Sequence, residues 1–277
     1  MKRFKCFSIP YFVWLIILVV LPLVLMFALT FLQSDGMSLN GATLTMKNYK
    51  ELTDFAYWEA LWNSLVIAFW TTIICLLIGY PVAYFISFSN LKHKVLILLC
   101  MILPMWCNSM LRILSWYKLF SSDLLSGLSL IGSKGAVIFV TVTTYLPFMI
   151  FPIYTILEKL DRSLIEASKD LGVPAWKTFF KVTLPLSLDG AISGMIMVFL
   201  PAATGFAISA IIGDGKVNMI GNIIENMFKT ANNYNLGSLL SIFVSVIIIF
   251  GLIVLDKTKK EDGILWWKLQ ISVHLFL

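Results

Sequence analysis

The chain has 277 residues, of which 59% are hydrophobic and 13% charged, and its formal net charge is +6. A soluble domain carries about 25% charged residues, so this composition excludes an ordinary water-soluble fold and favours a chain that lipid solvates. The basic residues are scattered between apolar runs, which argues against nucleic acid as a partner and favours charges that orient membrane spans.

Six apolar segments are long enough to cross a bilayer core, which needs roughly 20 residues per helix. They lie near residues 11–32, 62–88, 95–117, 136–157, 187–212 and 236–255. Because lipid offers no hydrogen-bond partners to an irregular backbone, these segments must be helices. The sequence therefore predicts an all-α, polytopic membrane protein with six transmembrane helices.

The distribution of Lys and Arg predicts how the spans are oriented. With the N-terminus placed in the cytoplasm, about two thirds of the 21 basic residues fall in the inner segments, and Arg112 alone lies within a span. Positive charge concentrates on the cytoplasmic side of membrane proteins. We therefore expect both termini in the cytoplasm, in agreement with an even number of spans.

The longest inner loop, between spans four and five, has the pattern of two short helices joined by a turn. Ser163-Leu-Ile-Glu166 has the spacing of a capping box, which predicts the start of the first helix. Gly172 fits the left-handed position after a helix end, and Pro174 fits the first turn of a second helix. Pro185 is expected to end that helix or to bend it into span five.

This loop also carries apolar residues on its predicted surface. The second helix is expected to place Trp176, Phe179 and Phe180 on one face, at the spacing i, i+3 and i+4. Such a face requires a partner, which is either the lipid headgroups or another protein. Physical reasoning alone leaves these two alternatives level.

The same loop resembles the signature loop of ABC importer permeases, which has Glu-Ala-Ala, three residues, Gly and a downstream Leu-Pro. The matching residues are Glu166-Ala-Ser-Lys-Asp-Leu-Gly172 and Leu184-Pro185, with Ser168 where the family usually has Ala. In that family the loop forms a coupling helix that docks into a groove of the ATP-binding subunit. The resemblance implies a coupling segment at residues 159–186. Its implied ATPase-coupling residues are Glu166, Ala167, Ser168, Asp170, Gly172, Trp176, Leu184 and Pro185.

Further motifs extend the resemblance to the spermidine/putrescine permease subgroup. They include Tyr145-Leu-Pro-Phe148, Lys181-Val-Thr-Leu-Pro-Leu-Ser187 and Ile212-Gly-Asp-Gly215. The resemblance implies a type I ABC importer permease in the bacterial inner membrane, whose transmembrane domain covers residues 1–262. Such a chain forms half of a translocation path for polyamines. Residues 263–277 form a short tail to which the resemblance assigns no role.

The resemblance also implies an obligate complex. Its other members are a second related permease subunit, a homodimeric ABC ATPase and an external substrate-binding protein, with the lipid bilayer and a polyamine substrate as further partners. ATP and Mg²⁺ are then expected on the ATPase, and no cofactor on this chain. The sequence has no P-loop, no Ser/His/Asp set and no metal-type spacing of its four Cys and two His. We therefore expect a transport subunit that is not an enzyme.

Five residues are candidates for the translocation path or gate: Trp106, Arg112, Trp116, Tyr145 and Phe148. Charges inside a membrane are usually functional, but like charges disfavour direct contact between Arg112 and a polycation. We expect Arg112 to have a structural or gating role, with the outer-loop acid Glu225 as a candidate partner. An aromatic face attracts a cation by about 0.5–2 kcal/mol, although packing is the more ordinary role for any single ring.

A self-contained ion-coupled secondary transporter of a small organic cation is the alternative from another class. Such a transporter needs buried acids for proton or sodium coupling, together with broken helices. Prolines interrupt several of the predicted spans, but acids within them are nearly absent. A membrane enzyme is a third alternative, for which no catalytic set is visible.

Overall fold

A computed structural model describes residue 10 and residues 13–33, 43–44, 47–89, 92–123 and 125–251. The chain divides into two compact units, one of which is Phe55–Ile223, while the other combines the residues before and after it. The predictions for the tail 263–277 lie outside the described residues.

The unit outside Phe55–Ile223 contains two long apolar helices. They are α1 (Val13–Thr30), which includes a π-helical stretch over Ile16–Val20, and α11 (Tyr234–Gly251). Between them in the chain are the antiparallel strands β1 (Leu32–Gln33) and β2 (Thr43–Leu44) and the short helix α2 (Lys47–Glu51). The Asn48 amide donates to the carbonyl of Thr30 at 3.3 Å, which ties α2 to the end of α1.

The unit Phe55–Ile223 is built on three long helices that pack against one another. They are α3 (Phe55–Phe88), α6 (Lys134–Glu158) and α8 (Ala175–Thr204). The shorter helices are α4 (Lys94–Trp106), α5 (Ser109–Phe120), α7 (Arg162–Asp170) and α9 (Ala207–Ile212), and α10 (Ile220–Lys229) begins in this unit. A 3₁₀ turn covers Ser126–Leu128.

Five of the described helices are long and apolar enough to cross a membrane, and the bent pair α4 and α5 gives a sixth if it counts as one span. The predicted all-α fold with six spans is confirmed in this sense. The third span was predicted as one helix near residues 95–117, which is wrong because the chain turns by 85° between Trp106 and Ser109. Asn108 stabilises the turn, since its side chain accepts a 2.9 Å hydrogen bond from the Met110 N–H at the start of α5.

Two other predicted boundaries are also corrected. The helix of the second span begins at Phe55, seven residues before the predicted start at residue 62. Residues 55–61 are thus part of the same helix. The fifth span was predicted over residues 187–212. Its helix begins at Ala175 and ends at Thr204, and Gly205 and Phe206 separate it from α9.

Close packing of the three long helices centres on Met149, whose side chain is fully buried. Gly79 of α3 and Gly194 of α8 lie against it from two sides. A Cβ at Gly79 would be 3.0 Å from Met149 Cγ, and one at Gly194 would be 2.8 Å from Met149 Sδ. Gly190, one turn before Gly194, approaches the carbonyl of Pro152 in the same way. Small residues four apart allow two membrane helices to approach this closely.

We predict that two Gly→Ala substitutions differ in their effect on stability. Gly194→Ala would place a methyl group 3.0 Å from the Met149 backbone carbonyl, and overpacking of this kind costs about 1–3 kcal/mol. Gly135→Ala meets nothing within 4 Å and should be neutral or slightly stabilising, because alanine favours a helix. Thermal unfolding of the two purified variants in detergent measures the difference. Equal midpoints would contradict the packing described for Met149.

Candidate functional site

The first helix of the coupling segment, α7, begins at Arg162. The carboxylate of Asp161 accepts a 3.0 Å hydrogen bond from the Ser163 N–H, and this bond holds the pKa of Asp161 below its usual value. The predicted start at a capping box of Ser163 and Glu166 is therefore wrong by two residues. Aspartate is a favourable N-cap residue, and Asp161 serves as the N-cap two residues before Ser163. Glu166 is exposed on the helix surface.

Gly172 follows the end of α7 in the predicted left-handed conformation, with φ at +72°. Its N–H donates to the Lys169 carbonyl at 2.8 Å, and the Val173 N–H donates to the Ser168 carbonyl at 3.2 Å. These two bonds form a Schellman motif, so the prediction for this turn is confirmed. A Cβ on Gly172 would meet no atom within 4 Å. The constraint at this position is therefore backbone conformation and not space.

The second helix of the coupling segment continues directly into the fifth span. Pro174 is the N-cap residue before Ala175, one position ahead of the predicted first turn, and its carbonyl accepts from the Thr178 N–H at 3.1 Å. A π-helical turn follows over Phe179–Thr183, immediately before Leu184 and Pro185. Proline removes one backbone donor and crowds the preceding turn, and the wider π turn accommodates this within a continuous helix. The helix end expected as one outcome at Pro185 is therefore not found.

A hydrogen bond between two hydroxyl groups joins the halves of the coupling segment. Ser168 Oγ lies 2.8 Å from Thr178 Oγ1, and Ser168 is only 9% exposed. The serine that stands where the family usually has alanine thus faces the interior of the segment. The hydroxyl pair therefore helps to fix the angle between α7 and the start of α8.

The exposed apolar face of the segment differs from the predicted one. Leu171, Trp176 and Phe180 are 82%, 63% and 60% exposed, respectively. Phe179 was expected on the same face, but its ring packs edge-on against Tyr80 at 5.7 Å and Tyr84 at 5.4 Å, measured between ring centroids. Phe179 and Phe180 are consecutive residues, so their side chains point roughly 100° apart on either side of Trp176. Phe179 is on the side that packs against α3.

The coupling segment is also tied to the end of α3 through the carbonyl of Ser87. Arg162 Nη2 donates to this oxygen at 3.2 Å and Lys94 Nζ at 2.5 Å. Lys94 lies 3.9 Å from the carboxylate of Glu158, which also accepts from the Ser87 hydroxyl at 3.4 Å. A helix leaves its last carbonyls without intrahelical donors. Here the first residue of α7 supplies one, so α7 is fixed to α3.

The structure distributes the five predicted path residues over different surroundings. Trp106 is 80% exposed at the bend between α4 and α5. Trp116 packs edge-on against Phe139 with the ring centroids 5.0 Å apart. Phe148 lines an apolar groove on the surface, while Tyr145 lines a separate cavity that also contains several hydroxyl groups.

Arg112 lies on α5 and binds a backbone carbonyl on the other side of the bend between α4 and α5. Its Nη1 donates to the carbonyl of Pro104 at 2.8 Å, which agrees with the structural role expected for this charge. Glu225, suggested as its partner, instead pairs with Lys229 on α10 at 2.6 Å. The positive charge therefore bridges α5 to the last turn of α4.

The cavity beside Tyr145 has a volume of about 230 Å³ and lies between α5, α6 and the break that separates α8 from α9, and its lining is mainly apolar. Its hydroxyl-bearing residues are Ser109, Thr141, Thr144, Tyr145, Thr204 and Ser209. Sequence reasoning selected only Tyr145 among them. The signal for two others was available, because Thr141 and Thr144 are polar residues at helical spacing in an apolar span. Thr204 and Ser209 could not be selected from the sequence. They line the same cavity only because the helix breaks between Thr204 and Ala207.

Comparison with known proteins gives a family match over nearly the whole chain. The sequence profile of the family described as binding-protein-dependent transport system inner membrane component matches residues 5–257. The chain is 37% identical to the spermidine/putrescine transport system permease protein PotB of Haemophilus influenzae, over 90% of this chain and 91% of the relative. It is 35% identical to the Escherichia coli protein of the same name, over 89% and 94%.

Solved structures share the fold at low sequence identity. A chain from a bacterial ABC transporter involved in the import of the acidic polysaccharide alginate superimposes with a TM-score of 0.77 at 13% identity. The match covers 94% of this chain and 96% of that one. A chain of a bacterial alginate ABC transporter in complex with an alginate pentasaccharide-bound periplasmic protein gives 0.73 at 12% identity, over 90% and 91%. At these identities the likeness concerns the fold alone.

We predict that Thr178→Val loosens the coupling segment. The change leaves the buried Ser168 hydroxyl without its partner, and an unsatisfied buried polar group costs about 1–3 kcal/mol. Hydrogen exchange measured by mass spectrometry should become faster in residues 162–178. The double variant Ser168→Ala/Thr178→Val should regain much of the protection, because no polar atom is then unpaired.

Thr155→Val is the matched control, since that hydroxyl bonds only the Phe151 carbonyl of its own helix among the contacts that the structure describes. Wild-type exchange rates in Thr178→Val would contradict a structural role for the hydroxyl pair.

Proposed function

This chain belongs to the family of binding-protein-dependent transport system inner membrane components, and on that premise we propose that it is the transmembrane permease subunit of an ATP-driven polyamine importer. The observation that carries the proposal is the segment formed by α7 and the start of α8, which hydrogen bonds tie together and to α3 while its apolar side chains stay exposed. A fixed segment with an unpartnered apolar face suits a subunit that is moved by another protein. The bilayer-spanning helices then form half of the translocation path.

The substrate class is inferred from the relatives. Two of them carry the name spermidine/putrescine permease and match at 35–37% identity over about nine tenths of both chains. Because the alignment covers both chains nearly end to end, the comparison supports a shared function for the whole chain. We therefore assign a spermidine- or putrescine-like polyamine as the substrate.

The complex that this function requires has four kinds of members. A homodimeric ABC ATPase binds ATP and Mg²⁺ and receives the coupling segment, while a second related permease completes the path. An external substrate-binding protein delivers the polyamine, in keeping with the family description. This assignment places the coupling segment and both termini in the cytoplasm.

The exposed side chains of α7 and the start of α8 form the surface that binds the ATPase. Leu171 and Trp176 are the most exposed apolar groups of the segment, and Glu166 and Asp170 add charges beside them. Exposed aromatic and aliphatic anchors contribute most to protein interfaces. An ion-coupled secondary transporter has no use for such a face, and family membership does not favour that alternative.

We predict that Leu171→Ser/Trp176→Ser separates the permease from its ATPase. Removal of two anchors should reduce co-purification of the ATPase at least tenfold, since a central anchor is worth about 2 kcal/mol or more. Hydrolysis of ATP stimulated by spermidine and its binding protein should fall in parallel, with unchanged thermal stability of the permease.

Leu128→Ser is the matched control, because Leu128 is also largely exposed but lies in the loop between α5 and α6. Full association and full stimulated hydrolysis in Leu171→Ser/Trp176→Ser would rule out docking through this face.

A further inference from the structure

The π-helical turn of α8, Phe179–Thr183, lies between the part of that helix that belongs to the coupling segment and the part that continues as the fifth span. Such turns are rare and are frequently found at functional sites. They are also places at which a helix bends most readily. A displacement of the coupling segment reaches the membrane part of α8 only through this turn, and bending of the turn would absorb it.

Tyr80 of α3 contacts α8 on both sides of the π turn. Its ring packs edge-on against Phe179, the first residue of the turn, with 5.7 Å between the ring centroids. Its hydroxyl lies 2.6 Å from Ser187 Oγ, one helical turn beyond Thr183. A single side chain of α3 therefore reaches from one end of the turn to the other.

The hydrogen bond between Tyr80 and Ser187 has a defined direction. Ser187 Oγ donates its only proton to the Leu184 carbonyl at 3.1 Å, so its oxygen accepts the proton of Tyr80. Both residues are buried. Two apolar groups of the same shape would stabilise the core about as well. What the bond adds is a fixed position of α8 along α3, because a buried polar pair can set the register between helices.

The part of α8 that follows Ser187 is closely packed against α6. A Cβ on Gly190 would lie 3.0 Å from the Pro152 carbonyl oxygen, and Gly194 is in similar contact with Met149. This packing supports a straight helix beyond the π turn. The turn itself is supported on the α3 side by Tyr80.

We propose that Tyr80 is a positioning residue that braces the π turn, so that movement of the coupling segment by the ATPase displaces the membrane part of α8. Tyr80 acts through Phe179 and Ser187 and contacts neither the ATPase nor the substrate in this role. The inference rests on the proposed function and adds to it a residue of α3, outside the coupling segment, on which the coupling of ATP hydrolysis to transport depends.

Tyr84 offers a closely matched control. It lies one turn after Tyr80 on α3 and packs edge-on against the same Phe179 ring, at 5.4 Å between the centroids. Its hydroxyl forms no hydrogen bond with any residue that the structure describes. Tyr84→Phe therefore removes a tyrosine hydroxyl beside Phe179 without removing a bond to α8.

The test measures spermidine taken up per ATP hydrolysed by the complete transporter in proteoliposomes, with binding protein present. Tyr80→Phe keeps the ring contact with Phe179 and removes only the bond to Ser187. It should lower the ratio about threefold or more, which is the scale of losing one buried hydrogen bond, while ATP hydrolysis continues. Tyr84→Phe should keep the wild-type ratio.

Two further variants separate positioning from stability. Ser187→Ala leaves the buried Tyr80 hydroxyl without its acceptor and should lower the thermal unfolding midpoint of the permease. Tyr80→Phe/Ser187→Ala removes both hydroxyls and should regain most of that stability. Its uptake per ATP should nevertheless stay as low as that of Tyr80→Phe, because the same bond is missing from both variants.

The outcomes separate the inference from the function on which it rests. A wild-type ratio in Tyr80→Phe would overturn the inference alone. The same conclusion would follow from an equal fall in Tyr84→Phe, or from a double variant whose ratio recovers together with its unfolding midpoint. Absence of ATP-dependent spermidine uptake by the wild-type complex would overturn the proposed function and the inference with it. If Ser187→Ala does not assemble, the comparison of Tyr80→Phe with Tyr84→Phe decides by the same criterion.

Discussion

The fold depends on one constraint, which is that backbone groups leaving a regular helix inside a membrane must find partners within the protein. Side chains supply these partners at several helix ends. Asn108 caps the bend between α4 and α5, and the Ser64 hydroxyl accepts from the first N–H of α10 at 2.9 Å. Lys94 and Arg162 satisfy the carbonyl of Ser87 at the end of α3. The Ser64 and Ser87 bonds also join different elements, α3 with α10 and α3 with α4 and α7.

Contacts of this kind connect the segment 159–186 to the membrane spans. Arg162 fixes the start of α7 to α3, and the ring of Phe179 packs against two tyrosines of α3. The second helix of the segment is itself the beginning of the fifth span. A force applied to the exposed face therefore reaches α3 and α8 through short contacts. The cavity beside Tyr145 lies at the far end of α8, where that helix breaks.

Much of this architecture was predictable, because it follows from local rules. The six apolar segments, the left-handed Gly172 and the signature of the coupling segment all depend on neighbours within one or two turns. What could not be predicted depends on contacts between distant residues. Ser168 bonds to Thr178 only because the turn folds α7 back on α8. Phe179 points inward because Tyr80 and Tyr84 lie there, and the cavity beside Tyr145 is lined by residues from α5, α6, α8 and α9.

The central claim is that a separate ATPase drives transport through this chain, and reconstitution tests it most directly. The purified chain is placed in proteoliposomes either alone, with a proton or sodium gradient, or with its partner permease, ATPase and binding protein. The account predicts spermidine uptake only in the complete complex and only with hydrolysable ATP. Uptake by the chain alone, driven by the ion gradient, would contradict it.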